Sequence, residues 1–413
     1  MEGLALTDED RAILALESAA VAGHTCKVVL IETGAPTAER LAASMLERLP
    51  AAPALTRRLA GSPERPVWVE DESFRIAAHV IAADLDPCDD DALRAEVGRL
   101  FAERLDRSRP LWRVDVLPRR GGGAAVVWRI HHALADGTAA MRFADAVLWD
   151  PQGTDPPAQR SAAHPDDSGR RARLAAFVRH EVELVPRRSP FDGTLGCDRE
   201  VAFARAPLRE LHDAARRLAG ATVNDAVLTA VAGGLRAWIQ HHHGHLGHMR
   251  VKVPVSLHHG DDDVGNRDSF FTLELPLGEP DAVARLGAVC AATAARKSNH
   301  DAETLDTLMR DLARVSPQLD RFCRRLEASP RTFTLNVSNV PGPSHPVAVL
   351  GAPVERVYSL AEIGERHALR IAVVSLGGQL SFGFCADPGI VGDVELLARA
   401  VETEANTLVE AGR

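Results

Sequence analysis

The pattern of apolar and polar positions along the chain predicts a mixed α/β protein. Short β-branched runs at 26–31, 113–117 and 124–130 are typical of buried strands. Three glycines separate the last two runs and predict the turn of a hairpin. Over 90–105, apolar residues recur at helical spacing behind an acidic start, which is typical of a helix. Strands and helices therefore alternate from the beginning of the chain.

The same periodicities predict the remaining elements. Pro207 and Gly220 delimit one helix between them, and Thr222 with Asp225 predicts the capped start of the next. Strands are predicted at 67–69, 74–81, 251–257, 270–275, 331–337, 369–376 and 379–385, and helices at 5–17, 37–49, 138–148, 172–184, 208–219, 280–328 and 393–408.

Length and composition favour two domains. A chain of 413 residues is long for one hydrophobic core. The segment 151–197 begins with a stretch rich in Pro, Asp, Ser and Arg, which is typical of a linker. We therefore predict an N-terminal domain at 1–150, a linker at 151–197 and a C-terminal domain at 198–413.

Charge and cysteine usage exclude several classes of function. The net charge of −9 offers no basic field for nucleic acid. The N-terminus is acidic and unlike a secretory signal, and no run of about 18 uncharged apolar residues predicts a membrane span. The six cysteines show no C-x-x-C spacing, so we expect reduced thiols in a cytoplasmic protein.

A cluster of histidines invites a metal hypothesis that the spacing does not favour. Five histidines lie between His241 and His248 in a glycine-broken stretch without an interleaved cysteine or carboxylate, which is interpreted as a solvated loop. The aspartates at 261–263 lack the ligand spacing of a calcium loop. We therefore expect no metal.

The stretch HHALADG at 131–137 carries the most specific chemistry and directly follows the predicted strand 124–130. Residues at a strand end are held by a rigid scaffold and still reach a ligand. A neutral imidazole there can accept a proton from a hydroxyl group. A single histidine in this place is more often structural, but Asp136 and the turn-forming Gly137 complete an H-H-x-x-x-D-G pattern. The pattern favours a catalytic role for His132.

Several separate stretches together resemble one protein family. They are LALESAAVAGH, LDRSR with PLWRVDVL, HHALADG, TVNDAVL, VPVSL with GNR, NVSNVPGP and LSFGFCADP, in this order. The H-H-x-x-x-D-G pattern alone resembles the CoA-dependent acyltransferase superfamily, which includes chloramphenicol acetyltransferase and peptide-synthetase condensation domains. With the other stretches, the chain is similar to the bacterial wax ester synthase/diacylglycerol acyltransferase family.

This resemblance implies a fold, a reaction and its partners. The implied fold is α/β, with two chloramphenicol-acetyltransferase-like sandwich domains, mixed sheets and a substrate tunnel at their interface. The implied reaction joins the acyl group of acyl-CoA, a co-substrate, to a fatty alcohol or a diacylglycerol. No permanently bound cofactor is expected. Long-chain products favour peripheral association of a cytoplasmic protein with the inner membrane or lipid bodies.

The resemblance also implies which residues act. His132 is the expected general base, with His131, Asp136 and Gly137 of the same motif and with Asn224 of the TVND stretch. The expected substrate-binding residues are Glu17, Asn266, Arg267, Ser338 and Asn339. A thioester is already activated, so the reaction needs only a base for the acceptor hydroxyl and a donor for the developing oxyanion. Asn224 or a backbone N–H near Gly137 is the expected oxyanion donor.

Structural roles remain open for five of these sites. His131 is also explained as a residue that completes the turn. Asp136 is also explained as the partner of an arginine, because an unpaired buried carboxylate is costly. Asn224 is also explained as a hydrogen-bonding residue at a helix start. Asn266 with Arg267 is also explained as a buried pair. Ser338 and Asn339, which precede Pro-Gly-Pro, are interpreted as an ordered crossover loop.

The acceptor also remains open. Gly-His-Thr at 23–25 and the charged segment 363–367 depart from the family pattern, near the side expected to bind the acceptor. One alternative is an acyltransferase of the same fold that acylates a specialised metabolite. Another is a non-catalytic relative that binds acyl groups or a carrier protein, although the intact His132 motif argues against it.

Overall fold

The computed structural model describes residues 3–62, 64–151, 189–256, 268–298, 333–364 and 366–413. The strands are β1 (Leu4–Ala5), β2 (His24–Ile31), β3 (Arg57–Ser62), β4 (Arg65–Glu70), β5 (Val80–Ala82), β6 (Trp112–Arg119), β7 (Gly123–His131), β8 (Glu200–Pro207), β9 (Arg250–Ser256), β10 (Asp268–Glu274), β11 (Leu335–Val340), β12 (Ala348–Val349), β13 (Ala352–Ala361), β14 (Leu369–Leu376) and β15 (Gln379–Ala386). The helices are α1 (Asp8–Leu16), α2 (Ala38–Arg48), α3 (Asp90–Ala102), α4 (Gly137–Phe143), α5 (Leu208–Ala219), α6 (Val223–His243), α7 (Ala282–Ser298) and α8 (Val394–Ala411).

Two six-stranded sheets dominate the described part of the chain. The first has the order β12-β13-β2-β7-β6-β5, and the second has the order β10-β9-β11-β14-β15-β8. Each sheet is mixed, because β5 runs parallel to β6 and β11 runs parallel to both β9 and β14. A smaller three-stranded sheet has the order β1-β4-β3. The predicted α/β class with mixed sheets is therefore confirmed.

The first sheet combines strands from both ends of the sequence. Strand β13, from the C-terminal half, pairs antiparallel with β2, so that Lys27 lies opposite Ser359 and Thr25 lies opposite Ala361. The two halves of the sequence therefore share this sheet. The predicted boundary at 151–197 stays a prediction, since residues 152–188 lie outside the described part.

Strand β2 is buried along its whole length because both faces of the first sheet are covered. Cys26 and Val28 point into one hydrophobic core, which also contains Trp238 of α6. Val29 and Ile31 point into a second core. Burial on both faces explains why the sequence of β2 is an almost continuous apolar run and does not alternate.

Several local predictions are confirmed by the structure. Strands β6 and β7 form the predicted antiparallel hairpin, and β14 and β15 form the second one. Helix α5 lies between Pro207 and Gly220 as predicted. Helix α6 starts with a capping box in which the Thr222 side chain and the Asp225 side chain each bond to the backbone of the other residue.

The predicted strand 74–81 is wrong over most of its length. Only its end belongs to β5, and Ile76–Ala78 forms a 3₁₀ turn. The reason is aromatic packing: the His79 ring stacks on both Phe74 and Trp112, with ring centroids 5.1 and 4.5 Å away. Its Nδ1 also lies 2.8 Å from the Trp112 carbonyl. These contacts hold the segment against the sheet without a hydrogen-bonded ladder.

Three further predictions are corrected. Ser338 and Asn339 do not form a crossover loop but lie inside β11, because parallel pairing with β14 continues through them. His241–His243 form the last turn of α6 and not a loop, because the helix ends only at Gly244. Helix α4 stops at Phe143 and continues as a π-helical turn where the sequence predicts α-helix to 148.

The remaining helix predictions are only partly covered. The helix predicted at 172–184 and residues 299–328 of the one predicted at 280–328 lie outside the described residues. Of the helices that are described, no single one has the length and apolar composition needed to cross a bilayer. Helices α5 and α6 meet these criteria only as a pair, and they are bent by 92° at the break between them.

Candidate active site

The turn that follows β7 is held by backbone hydrogen bonds. The carbonyl of His131 accepts bonds from the N–H groups of Leu134 and Ala135, at 2.9 and 3.1 Å. The N–H of His132 donates to the Gly23 carbonyl at 2.9 Å. The turn is therefore closed on itself and tied to the residue that precedes β2.

The His131 side chain is fully buried and contacts Glu17, with 2.6 Å between Nε2 and Oε1. The Ala133 N–H donates to Nδ1 at 3.0 Å, so Nδ1 carries no proton and Nε2 donates to the carboxylate. Glu17 also pairs with Arg107 at 2.8 Å. Burial raises the pKa of Glu17, but its bonds to His131 and Arg107 outweigh this effect and lower the pKa overall. In this structure Glu17 positions His131.

Gly23 is required by its neighbours as well as by its backbone. Its φ is +75°, and a Cβ atom there would lie 2.8 Å from His131 Nε2 and 3.0 Å from Glu17 Cγ. We expect Gly23→Ala to lower the free energy of unfolding by about 1–3 kcal/mol more than Gly34→Ala, because it crowds the His131–Glu17 pair. Gly34 is the matched control, since its φ is +67° but no atom lies within 4 Å of the added methyl.

Urea unfolding of both variants measures this difference. Equal losses for the two glycines would show that only the backbone conformation matters. A selective loss in Gly23→Ala, accompanied by a fall in turnover, would show that the packing around His131 supports the adjacent His132.

His132 lines a cavity of about 80 Å³ between the two large sheets. The first sheet contributes Thr25, Lys27, Ser359 and Ala361, and the second contributes Ser338, Asn339 and Arg370 among others. Gly137 and Thr138, at the start of α4, complete the wall beside His132. Strands that are more than 300 residues apart in sequence thus meet around one imidazole.

The surroundings of His132 keep its imidazole neutral near pH 7. Burial lowers the pKa of His132 to about 4, and the positive charge of Arg370 acts in the same direction. The carboxylate of Asp136 opposes this shift but does not reverse it. A neutral imidazole has an unprotonated nitrogen, so it is in the form that accepts a proton.

Asp136 connects the motif to helix α4. Its side chain is buried and accepts a hydrogen bond from the Ala139 N–H at 2.6 Å, as the N-cap of the helix. Its negative charge raises the pKa values of both His132 and Lys27. The geometry assigns Asp136 a positioning and electrostatic role.

The other predicted site residues fall into three groups. Gly137, Ser338 and Asn339 line the cavity together with His132. Asn224 lies in the first turn of α6 and is not among the residues that line this cavity. Asn266 and Arg267 lie outside the described residues, so their roles stay predictions, as does the assignment of Asn224 as oxyanion donor.

The sequence predictions missed two cations in the cavity. Lys27 is buried, and its Nζ donates to Ser359 Oγ at 2.7 Å. Arg370 reaches the cavity from β14 and donates from Nη1 to the Glu362 carbonyl at 3.0 Å. The available signal was a charged residue inside an otherwise apolar strand sequence, since Lys27 interrupts β2 and Arg370 lies near the start of β14. Charged residues are rarely buried without a function or a partner.

The arrangement can activate a hydroxyl group. A neutral imidazole borders a small cavity that is also lined by Ser338, whose hydroxyl can donate a hydrogen bond. Such a donor can stabilise an oxyanion, and the base can take the acceptor proton. No cluster of His, Cys, Asp or Glu that could hold a metal ion occurs in the described ranges.

Comparisons with known proteins agree with this description. The "Wax ester synthase/diacylglycerol acyltransferase catalytic domain" model matches residues 6–185, and the "WS/DGAT C-terminal domain" model matches residues 264–408. A "Probable diacyglycerol O-acyltransferase" of Mycobacterium tuberculosis is 28% identical over 418 residues, which cover 92% of this chain and 90% of that protein. A second protein of that organism, a "Putative diacyglycerol O-acyltransferase", is 26% identical over 444 residues, which cover 94% and 87%.

Solved structures show the same fold. The wax ester synthase/diacylglycerol acyltransferase from Marinobacter aquaeolei VT8 superposes with a TM-score of 0.73 at 23% identity, covering 99% of this chain and 100% of that chain. The first condensation domain of the calcium-dependent antibiotic synthetase gives a TM-score of 0.66 at 17% identity, covering 100% and 96%. The family models span most of the sequence and the fold agrees. The chain therefore belongs to the wax ester synthase/diacylglycerol acyltransferase family and is an acyltransferase.

Proposed function

We propose that this protein transfers an acyl group from acyl-CoA to a hydroxyl acceptor, with His132 as general base. The observation that supports it most is the neutral His132 imidazole in the wall of a cavity between the two sheets. A general base must be unprotonated at working pH and near the hydroxyl it activates.

The proposed reaction is a direct displacement. His132 takes the proton of the acceptor hydroxyl while the hydroxyl oxygen attacks the thioester carbonyl carbon. The resulting oxyanion accepts a hydrogen bond from a donor in the cavity wall, a role that we assign to the Ser338 hydroxyl. When the carbon–sulfur bond breaks, the His132 imidazolium returns the proton to the CoA thiolate, which leaves an ester and free CoA.

The names of the relatives favour a lipid acceptor. The similar mycobacterial proteins are named as diacylglycerol O-acyltransferases, so a diacylglycerol or a fatty alcohol is the first acceptor class to test. Such acceptors need an apolar tunnel between the domains, and their products favour peripheral attachment to a membrane or a lipid body. We propose the tunnel, the long-chain acceptor and the attachment to a membrane or lipid body together with the lipid acceptor.

A second acceptor class is favoured by the polar cavity. Beside His132 the lining contains Lys27, Arg370 and several neutral hydrogen-bonding side chains. This composition suits a smaller polar hydroxyl compound better than an alkyl chain, because burying unpaired polar groups against an apolar ligand is costly.

An acceptor panel tests the proposal. We expect wild-type protein to release CoA thiol from palmitoyl-CoA only when an acceptor is present, and to form the matching ester by mass spectrometry. The panel contains hexadecanol, dioleoylglycerol, small polar alcohols and no acceptor. Thiol release that is equal without any acceptor would indicate a hydrolase instead. Absence of ester with every acceptor would contradict the transferase.

A further inference from the structure

The cavity beside His132 carries positive charge that acyl transfer to a neutral lipid does not require. Of the 12 described residues that line it, Lys27 and Arg370 are cations, and none is Asp or Glu. Five more, Thr25, Thr138, Ser338, Asn339 and Ser359, are neutral hydrogen-bonding residues. The part of the cavity wall that the structure describes is therefore cationic and polar.

Lys27 is buried, and its hydrogen-bond partner among the described residues is neutral. Its hydrogen bond goes to the neutral Ser359 hydroxyl at 2.7 Å, and no ion pair of Lys27 occurs among the described residues. An ammonium group carries three donors, so two remain for a ligand. Burial lowers the pKa of Lys27 to about 8, although the Asp136 charge opposes the shift. A buried cation with this environment is costly unless an anion joins it.

Thr25 supplies a second, independent observation. Its side chain lines the same cavity and lies two residues before Lys27, on the same face of β2. The residue is only 4% exposed, and its hydroxyl has no hydrogen-bond partner in the part of the chain that the structure describes. Buried hydroxyl groups almost always have a partner, so this hydroxyl at the cavity wall can donate a hydrogen bond to, or accept one from, a group that enters the cavity.

We propose that the acceptor is a hydroxyl compound that carries an anionic group, a carboxylate or a phosphate, which binds to Lys27, Arg370 and the Thr25 hydroxyl. This inference rests on the proposed acyl transfer at His132 and names its substrate class. The hydroxyl to be acylated lies at His132, a few bonds from the anionic group, because both ends of the ligand share one cavity of about 80 Å³. That volume is far below the roughly 300–1,000 Å³ of a pocket that encloses a whole drug-sized ligand.

The positive charge of Lys27 and Arg370 does not serve to bind the diphosphate of the acyl donor. The diphosphate of CoA is separated from its thioester by the whole pantetheine arm, so it cannot occupy a small cavity that also contains the reacting carbonyl carbon. An anion on the acceptor has a further consequence for His132. It would offset the Arg370 charge, which lowers the pKa of His132, and so make the imidazole a stronger base.

Matched acceptor pairs test this inference. Each pair differs only in the anionic group: 3-hydroxybutyrate against its methyl ester, and glycerol 3-phosphate against glycerol. Palmitoyl-CoA is the donor, and ester formation is measured for wild type, Lys27→Met, Lys27→Gln and Arg40→Met. Arg40 is the control for loss of one cation, because it is exposed on α2.

We expect wild type to favour the anionic member of at least one pair by about tenfold or more in kcat/KM, as for a charge-assisted hydrogen bond. The pair that shows the preference distinguishes a carboxylate from a phosphate. Lys27→Met and Lys27→Gln should lower this ratio by about tenfold, and Arg40→Met should leave it unchanged. Lys27→Met should also melt at or above the wild-type temperature, since it removes a buried charge.

The outcomes separate this inference from the proposed function. Ester formation from neutral acceptors only, or an anionic preference that Lys27→Met leaves intact, overturns the anion site but not the acyl transfer. If Lys27→Met loses the same factor in kcat/KM with the anionic and the neutral member of a pair, Lys27 stabilises the oxyanion. That result would also overturn the anion site. No ester from any acceptor, lipids included, overturns both.

Discussion

His132→Ala is expected to lower kcat by about two to four orders of magnitude, which is the usual contribution of a general base. The alanine variant keeps the thioester and the acceptor in place but has no group that takes the hydroxyl proton. The fold should survive, because the backbone N–H of residue 132 still donates to the Gly23 carbonyl. We expect the free energy of unfolding to stay within about 2 kcal/mol of wild type.

A matched control separates base catalysis from loss of any buried histidine. His79 is also buried, and its Nδ1 contacts the Trp112 carbonyl, but it does not line the cavity. His79→Gln should therefore lose stability while its kcat stays within about tenfold of wild type. Near-normal turnover by a folded His132→Ala protein would contradict the proposed mechanism. A comparable loss of kcat in both variants would show that the effect is structural.

The pH dependence gives a second test of the same role. Burial and the Arg370 charge set the pKa of His132 at about 4, below the ordinary imidazole value of about 6.5. In the absence of acceptor binding, the base stays neutral down to about pH 4, so kcat/KM should keep its plateau through pH 6. Loss of half the activity near pH 6.5 would indicate a solvent-exposed imidazole instead.

The same shift predicts how stability depends on pH. The folded pKa of His132 is depressed, and that of His24 lies well below the ordinary value because its ring is buried. The unfolded chain therefore binds protons that the folded protein does not, once the pH falls below about 6.5. The stabilisation is present above that pH and is lost progressively as the pH falls towards 4. Urea unfolding at pH 7 and at pH 5 measures the difference.

Local chemistry explains which parts of the site the sequence predicted. The turn that carries His131 and His132 is specified by adjacent residues: an apolar strand before it, and Asp136 as the cap of α4 after it. The β6–β7 hairpin is specified in the same way, since its strands are separated only by a glycine turn. Short-range patterns of this kind can be recognised without knowledge of the tertiary structure.

The second wall of the cavity depends on long-range pairing, which periodicity does not reveal. Ser359 contacts Lys27 only because β13 pairs with β2, and no pattern within either strand indicates that pairing. Arg370 reaches His132 from the other sheet for the same reason. Lys27 was nevertheless visible as a charge within a buried strand, and an unexplained charge of that kind is worth testing as a ligand-binding residue. The cation site is therefore a property of the tertiary structure, whereas the histidine motif is a property of the local sequence.

Arg129→Met is expected to lower the free energy of unfolding by about 3–5 kcal/mol, which is the cost of breaking a buried ion pair. The Arg129 side chain is 1% exposed and pairs with Asp115, itself 2% exposed, at 2.9 Å. It also donates to the carbonyls of Leu100 and Glu103 at the end of α3. Methionine keeps most of the length of the side chain but leaves the buried Asp115 carboxylate with the partly exposed Arg113 as its remaining cationic partner.

Arg113→Met is the matched control, because Arg113 bonds to the same carboxylate at 2.7 Å from a side chain that is 36% exposed. Solvent screens that pair, so its loss should cost about 1 kcal/mol or less. The double variant Arg129→Met/Asp115→Leu should recover part of the loss, since replacing both buried charges with apolar groups removes the desolvation penalty. Urea unfolding measures the stability of these variants. Equal losses in the two single variants, or no recovery of stability in the double variant, would contradict the proposed importance of the buried Arg129–Asp115 pair. Arg129 lies two residues before His131 and joins β7 to the end of α3. A larger loss of stability in Arg129→Met than in Arg113→Met would therefore also show that the buried pair supports the strand that carries the histidine motif.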